Sequence, residues 1–187
     1  MFNRFWEEAK KLGVLGYVVT KDDKVIEKNE IEPEIRRNVY SVSKSFTSVA
    51  VALAVEEGLL ALDEKLTEVF ADELPENVSE NLKKATVRDL LTMCLGHADS
   101  HLMGTQRVGY TDEDWVRMSL AIPFEYAPGE HFVYSNVGPY LAAVLVQRRA
   151  GCSLVDYLMP RLFKPLGIWR PSWETDPQGR SFGASGL

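Results

Sequence analysis

The sequence predicts an α+β fold, mainly helical, opened by one β-hairpin. Three observations carry this expectation. Residues 15–20 and 25–27 are short runs rich in β-branched residues, split by the polar turn Lys21-Asp22-Asp23-Lys24. Beyond them, apolar residues recur at helical spacing in several long segments. Glycine and proline fall between those segments, where the chain must turn.

The elements follow in order. Residues 1–11 pattern as an amphipathic helix, without the long apolar stretch or small-residue cleavage site of a signal peptide. The hairpin comes next. Its two strands need sheet partners, because a lone hairpin is marginal in water. In residues 42–57, Phe46, Val49, Ala50, Leu53 and Ala54 follow the i, i+3, i+4 pattern, and Val51 and Val55 fill the opposite face. A helix apolar nearly all round belongs in a domain centre, and Gly58 supplies its stop. One polar stripe breaks it: Ser41, Lys44, Ser45 and Ser48.

Residues 61–73 give a short helix, then a loop around Pro75. Thr86, answered by Asp89 three residues on, caps a further helix that ends at Gly96. Residues 97–109 look irregular, and Thr111 opens a helix to about Leu120. After the Pro128-Gly129 turn comes a short extended piece, then helices near 137–149 and 153–163. Residues 167–187, with Pro171, Pro177 and four glycines, read as loop.

Composition narrows the function classes. A chain of 187 residues forms one domain with a sizeable core. A net charge of −6 argues against nucleic-acid partners. The longest apolar run, 49–55, is too short to span a membrane. A cytoplasmic location is the default, replaced by a periplasmic or extracellular one if a leader is missing. Cys94 and Cys152 form no metal or disulfide pattern, and both are expected reduced. His97 and His101 stand at i and i+4, a spacing that can hold a metal on a helix. Gly96 and Ser100 make that segment loop-like, and no metal or cofactor is expected.

Two spacings carry chemistry. In Ser41-Val42-Ser43-Lys44, a helix brings the hydroxyl and the amine to one face. Burial and the positive helix end both favour the neutral amine, which can take the serine proton. The backbone N–H of Ser41 at the same helix start can donate to an oxyanion. The plainer alternative has Ser41 capping the helix and Lys44 reaching to water. In Tyr134-Ser135-Asn136, alternation lets the phenol and the amide point the same way. The phenol can relay protons, and the amide can hold a carbonyl or orient an amine. Alternatively, Tyr134 packs with a wet tip and Asn136 caps the next helix.

Together these motifs resemble the penicillin-recognising serine hydrolases: class C β-lactamases, D-alanyl-D-alanine carboxypeptidases and related esterases. Ser43-Lys44-Ser45-Phe46-Thr47, Val87-Arg88-Asp89-Leu90-Leu91-Thr92, Tyr126-Ala127-Pro128-Gly129 and Leu162-Phe163-Lys164-Pro165-Leu166-Gly167 resemble further landmarks. The resemblance implies the mainly helical part of a β-lactamase/transpeptidase-like fold. It also implies acylation of Ser41, activation by Lys44, proton transfer by Tyr134 and substrate contact by Asn136. The implied substrate is a small-molecule amide, β-lactam or ester, and no cofactor is implied. A scaffold that binds such ligands without turning them over is the alternative.

The match is incomplete. The turn Cys94-Leu95-Gly96-His97 departs from the family's Thr-Ser-Gly type, and no Lys- or His-x-Gly follows near the C-terminus. The chain therefore reads as a single, incomplete domain, 1–187, lacking the C-terminal sheet strands. Its exposed strand edges predict pairing with a second copy or with that missing part. The chain as given is expected to turn over nitrocefin or a p-nitrophenyl ester weakly or not at all; the rate of an intact family member would refute this.

Overall fold

The structure is a computed structural model that describes residues 2–31 and 35–187. Met1, included in the expected first helix, lies outside the described residues. Two compact units, 1–37 and 38–187, divide the chain.

In the first unit, α1 (Asn3–Lys11) precedes β1 (Gly16–Lys21) and β2 (Lys24–Glu30), which pair antiparallel. The hairpin closes on two residues. Asp22 and Asp23 have φ of +49° and +59°, the left-handed pair that matches strand twist. The turn is thus tighter than the expected four residues, because Asp tolerates this region better than most side chains. A register shift between Val19 and Thr20 lets β2 run on to Glu30. Phe5 and Trp6 meet Tyr17 edge-on at 5.2 and 5.4 Å. Tyr17 donates to Glu27 and accepts from Asn29 Nδ2 at 2.8 Å.

The second unit is built around a helix other than the expected one. Residues 42–57 form α2 (Ser43–Glu56), entered through a 3₁₀ turn at Tyr40–Val42. Only one face of α2 is covered, the one formed by Ser43, Thr47, Ala50, Val51 and Ala54. Val49 is 38% exposed and Val55 37%. Apolar residues all round a helix permit burial but do not supply a second neighbour. The central helix is α8 (Val137–Ala150), with every residue from 137 to 147 buried. It packs against α2 and α5. Pro139 fits its first turn, where no intrahelical N–H bond is lost. Gly151, at φ +69°, closes it as expected.

The remaining elements are short. α3 (Leu66–Val69) lies in the expected 61–73 segment, whereas α4 (Glu80–Lys84), capped by Ser79, was not expected. α5 (Val87–Thr92) carries the expected Thr86–Asp89 capping box. It ends at Met93, φ +59°, rather than at Gly96. α6 (Gly104–Arg107) interrupts the irregular stretch. α7 (Trp115–Ala121) starts later than Thr111, because Asp114 caps it by accepting from Val116 and Arg117 N–H. α9 (Leu154–Leu158) passes into a π turn at Met159–Phe163, where Pro160 has no N–H to give.

Residues 171–187 form the expected loop, but part of it is buried in the core. Asp176, Ser181, Phe182 and Ala184 are buried. Asp176 accepts from Tyr140 Oη at 2.7 Å and pairs with Arg180 at 2.6 Å. Glycine permits the close contacts: a Cβ on Gly183 (φ +74°) would sit 2.2 Å from Ala143 Cβ, and one on Gly138 2.3 Å from the Leu90 carbonyl oxygen. Gly138→Ala should therefore force α5 and α8 apart and cost about 2 kcal/mol. An unchanged denaturation midpoint would contradict that contact.

Candidate active site

The 3₁₀ turn at Tyr40–Val42 places Ser41 immediately before α2 rather than inside it. Tyr40 takes φ +46°, and its N–H donates to Asn38 Oδ1 at 2.7 Å. A left-handed non-glycine residue beside a candidate nucleophile is a form of strain found at functional sites. Side chains three apart nearly eclipse in a 3₁₀ turn. Lys44 consequently reaches back, and its Nζ lies 3.2 Å from Ser41 Oγ.

Lys44 is half-buried rather than enclosed. Its Nζ also donates to Asn136 Oδ1 at 2.8 Å and to the Ala184 carbonyl at 2.7 Å. Neither of these two acceptor oxygens can give a proton back. Tyr134 Oη donates to Ser41 Oγ at 2.8 Å from the other side, with its ring centroid 5.1 Å from Lys44 Nζ. Tyr134 is 40% exposed, so the site opens to solvent there. Ser41, Lys44, Tyr134 and Asn136 thus converge within hydrogen-bond reach.

The plainer alternatives fare as follows. Asn136 occupies the N-cap position of α8, yet its side chain does not cap. Its Nδ2 donates instead to the Leu102 carbonyl at 2.9 Å, which turns Oδ1 toward Lys44. Asn136 is 5% exposed. Ser135 Oγ accepts from Val137 N–H at 3.3 Å in its place. The tip of Tyr134 is tied to Ser41 rather than merely wet. Ala184 and Leu102 act through backbone carbonyls, and no residue type signals such a role.

Burial acts on the Tyr134 phenol to raise its pKa. Hydrogen bonding to Ser41 and Lys44, and the Lys44 charge, outweigh burial and hold it below the ordinary value. A phenol shifted this way suits proton exchange near neutrality better than an unperturbed one.

The segment 97–102 runs beside the Tyr134–Asn136 connector. Asn136 N–H donates to the His101 carbonyl at 3.1 Å, and Ser100 Oγ to the Tyr134 carbonyl. His97 and His101 meet edge-on at 5.7 Å. Among the described residues no group of three His, Cys, Asp or Glu side chains could hold a metal ion. Nor is any helix there long and apolar enough to cross a membrane.

Residues 1–187 match the family described as Beta-lactamase over their whole length. The chain belongs to that family. Among curated relatives, "Penicillin-binding protein 4*" of Bacillus subtilis (strain 168) is 25% identical over 76% of this chain and 31% of its own length. A "D-aminopeptidase" of Brucella anthropi is 30% identical over 73% of this chain and 26% of its own. The chain thus spans about a third or less of these relatives. A solved class C β-lactamase superposes with a TM-score of 0.75 at 18% identity, covering 99% of this chain and 59% of that one. That likeness bears on fold alone. It agrees with the expected mainly helical portion of a β-lactamase/transpeptidase-like fold with an N-terminal hairpin. In this family member, burial holds the His97 pKa at about 4, below 6.5, and His101 repels its charge further. The unfolded state then takes up a proton before the folded state does. This part of the stability is complete above about pH 6.5 and drains away as pH falls toward 4, on the order of 3 kcal/mol. Denaturation at pH 7 and pH 4.5 measures it, and His97→Gln should flatten the difference.

Proposed function

We propose that the chain carries the nucleophile, base and proton relay of a serine hydrolase acting through an acyl-enzyme on an amide, β-lactam or ester. The observation that supports it is the arrangement around Lys44 Nζ. Its Nζ lies 3.2 Å from Ser41 Oγ and donates to Asn136 Oδ1 and Ala184 O; in the neutral form this reading requires, those two bonds use both N–H groups and leave the lone pair for the Ser41 proton. That is the geometry a general base needs.

In the proposed cycle, Ser41 Oγ attacks the substrate carbonyl carbon while its proton passes to Lys44. The Ser41 backbone N–H donates to the developing oxyanion. Tyr134 hands a proton to the departing nitrogen or oxygen as the scissile bond breaks, and the proton that Lys44 took from Ser41 passes to Tyr134 directly. A water then attacks the acyl carbon, its proton returns through the same groups, and Ser41 regains its hydrogen. Asn136 keeps the lysine aimed, and its remaining amide proton is available to a substrate carbonyl. The names of the relatives agree with amide and β-lactam substrates.

Ser41→Ala should abolish covalent labelling by a penicillin or a phosphonate. Lys44→Met should slow acylation about 10²–10⁴-fold, and Tyr134→Phe by less. Intact-mass spectrometry of the labelled chain checks this, and near-normal labelling in Ser41→Ala or Lys44→Met refutes the roles.

A further inference from the structure

His97, part of the two-histidine spacing, belongs to the segment 97–102 that is hydrogen-bonded to the connector carrying Tyr134 and Asn136. It is 3% exposed, and its Nε2 is buried without a hydrogen-bond partner. An orphaned buried nitrogen costs about 1–3 kcal/mol unless something pairs with it. Its ring meets Phe124 edge-on at 4.6 Å and His101 at 5.7 Å. A cavity of about 10 Å³ adjoins it, lined mostly by apolar groups such as Leu90, Leu95 and Val133, with Asp89 and Ser135 as its other polar side chains. That is room for one water, and Asp89 and Ser135 are the partners a buried water there requires. The titratable groups facing His97 there are His101 and Asp89.

The backbone on either side of His97 is held. Gly96 O accepts from Tyr126 N–H at 3.0 Å, ahead of the connector, and His101 O accepts from Asn136 N–H on the connector at 3.1 Å. Ser135 Oγ accepts from His101 N–H at 3.1 Å and donates to His101 O at 3.2 Å. Leu102 O takes Asn136 Nδ2. The imidazole is therefore the packed interior of a strap whose outer edge orients two members of the site.

We propose that His97 is a positioning residue, and that a single water bound between its Nε2 and the polar side chains of Asp89 and Ser135 locks the strap 97–102 against the Tyr134–Asn136 connector. The proposal rests on the reading of Ser41 as nucleophile. A water suits this nitrogen in either tautomer, because it can donate or accept. Without it the strap would relax toward the cavity, and both the phenol and the amide would lose their aim at Ser41 and Lys44.

The test uses the whole chain with His97→Leu, which removes the polar ring nitrogen, and His97→Gln, which keeps a group able to bind water. Acylation of Ser41 by a fluorophosphonate is timed by intact mass. The Tyr134 phenol is titrated through its ¹³Cζ resonance. His97→Leu should acylate 10- to 100-fold more slowly, with the Tyr134 midpoint rising toward the ordinary phenol value. His97→Gln should regain at least tenfold of a hundredfold loss. In the wild type, the Val133 and Val137 methyls should show Overhauser contacts to a long-lived water. Absence of that water overturns the proposal, even if His97→Leu fails to fold. So does a folded His97→Leu with wild-type acylation and an unmoved Tyr134 midpoint. Failure of the wild type itself to label would sink the hydrolase reading, while the Tyr134 midpoint and the water would still decide the role of His97.

Discussion

One amine, with three oxygens around it, is the constraint on which the site depends. Lys44 Nζ has only hydrogens or a lone pair to offer, and the oxygens come from three separate parts of the chain. Ser41 is local. Asn136 enters from the start of the central helix, and Ala184 from a second strap, residues 171–187. These hydrogen bonds hold the amine in place, and a partly buried amine without them would turn to water. The reactive geometry is thus inseparable from the packing that brings 44, 136 and 184 together.

That packing is organised by α8. Gly138 allows α5 to approach its first turn, and Gly183 allows the strap 171–187 to lie on Ala143. Thr47 Oγ1 ties the strap to α2 through the Gly183 carbonyl at 2.8 Å, one residue before the carbonyl that holds Lys44. Further along, Tyr140, Asp176 and Arg180 form a buried knot. Removing one member of such a knot leaves a desolvated charge, so it fixes the strap more firmly than its surface appearance in sequence suggests.

The segment 97–102 shows how a spacing can mislead. Histidines four apart imply shared ligation only if they lie on a helix. Here Gly96 takes φ +108° with the Tyr126 carbonyl packed against it, and the backbone stays irregular. The two rings meet edge-on, and the working groups of the segment are its carbonyls at His101 and Leu102. A departure from the family's usual turn type thus falls where the site is held in shape.

Much was legible in the residues. The hairpin, the capping box at Thr86, the helix closed by Gly151 and the nearness of Ser41 to Lys44 follow from local rules of spacing, capping and turn chemistry, whereas the joining of that pair to Tyr134 and Asn136 was expected only from the family resemblance. Other features were not legible, because they depend on which surfaces meet. The exposed face of α2, the central place of α8, the burial of residues 181–184 and the third acceptor at Ala184 belong to that class. A side chain's period can be read along the chain, whereas a backbone carbonyl is identical at every position. Only the fold decides which carbonyl is turned toward the amine.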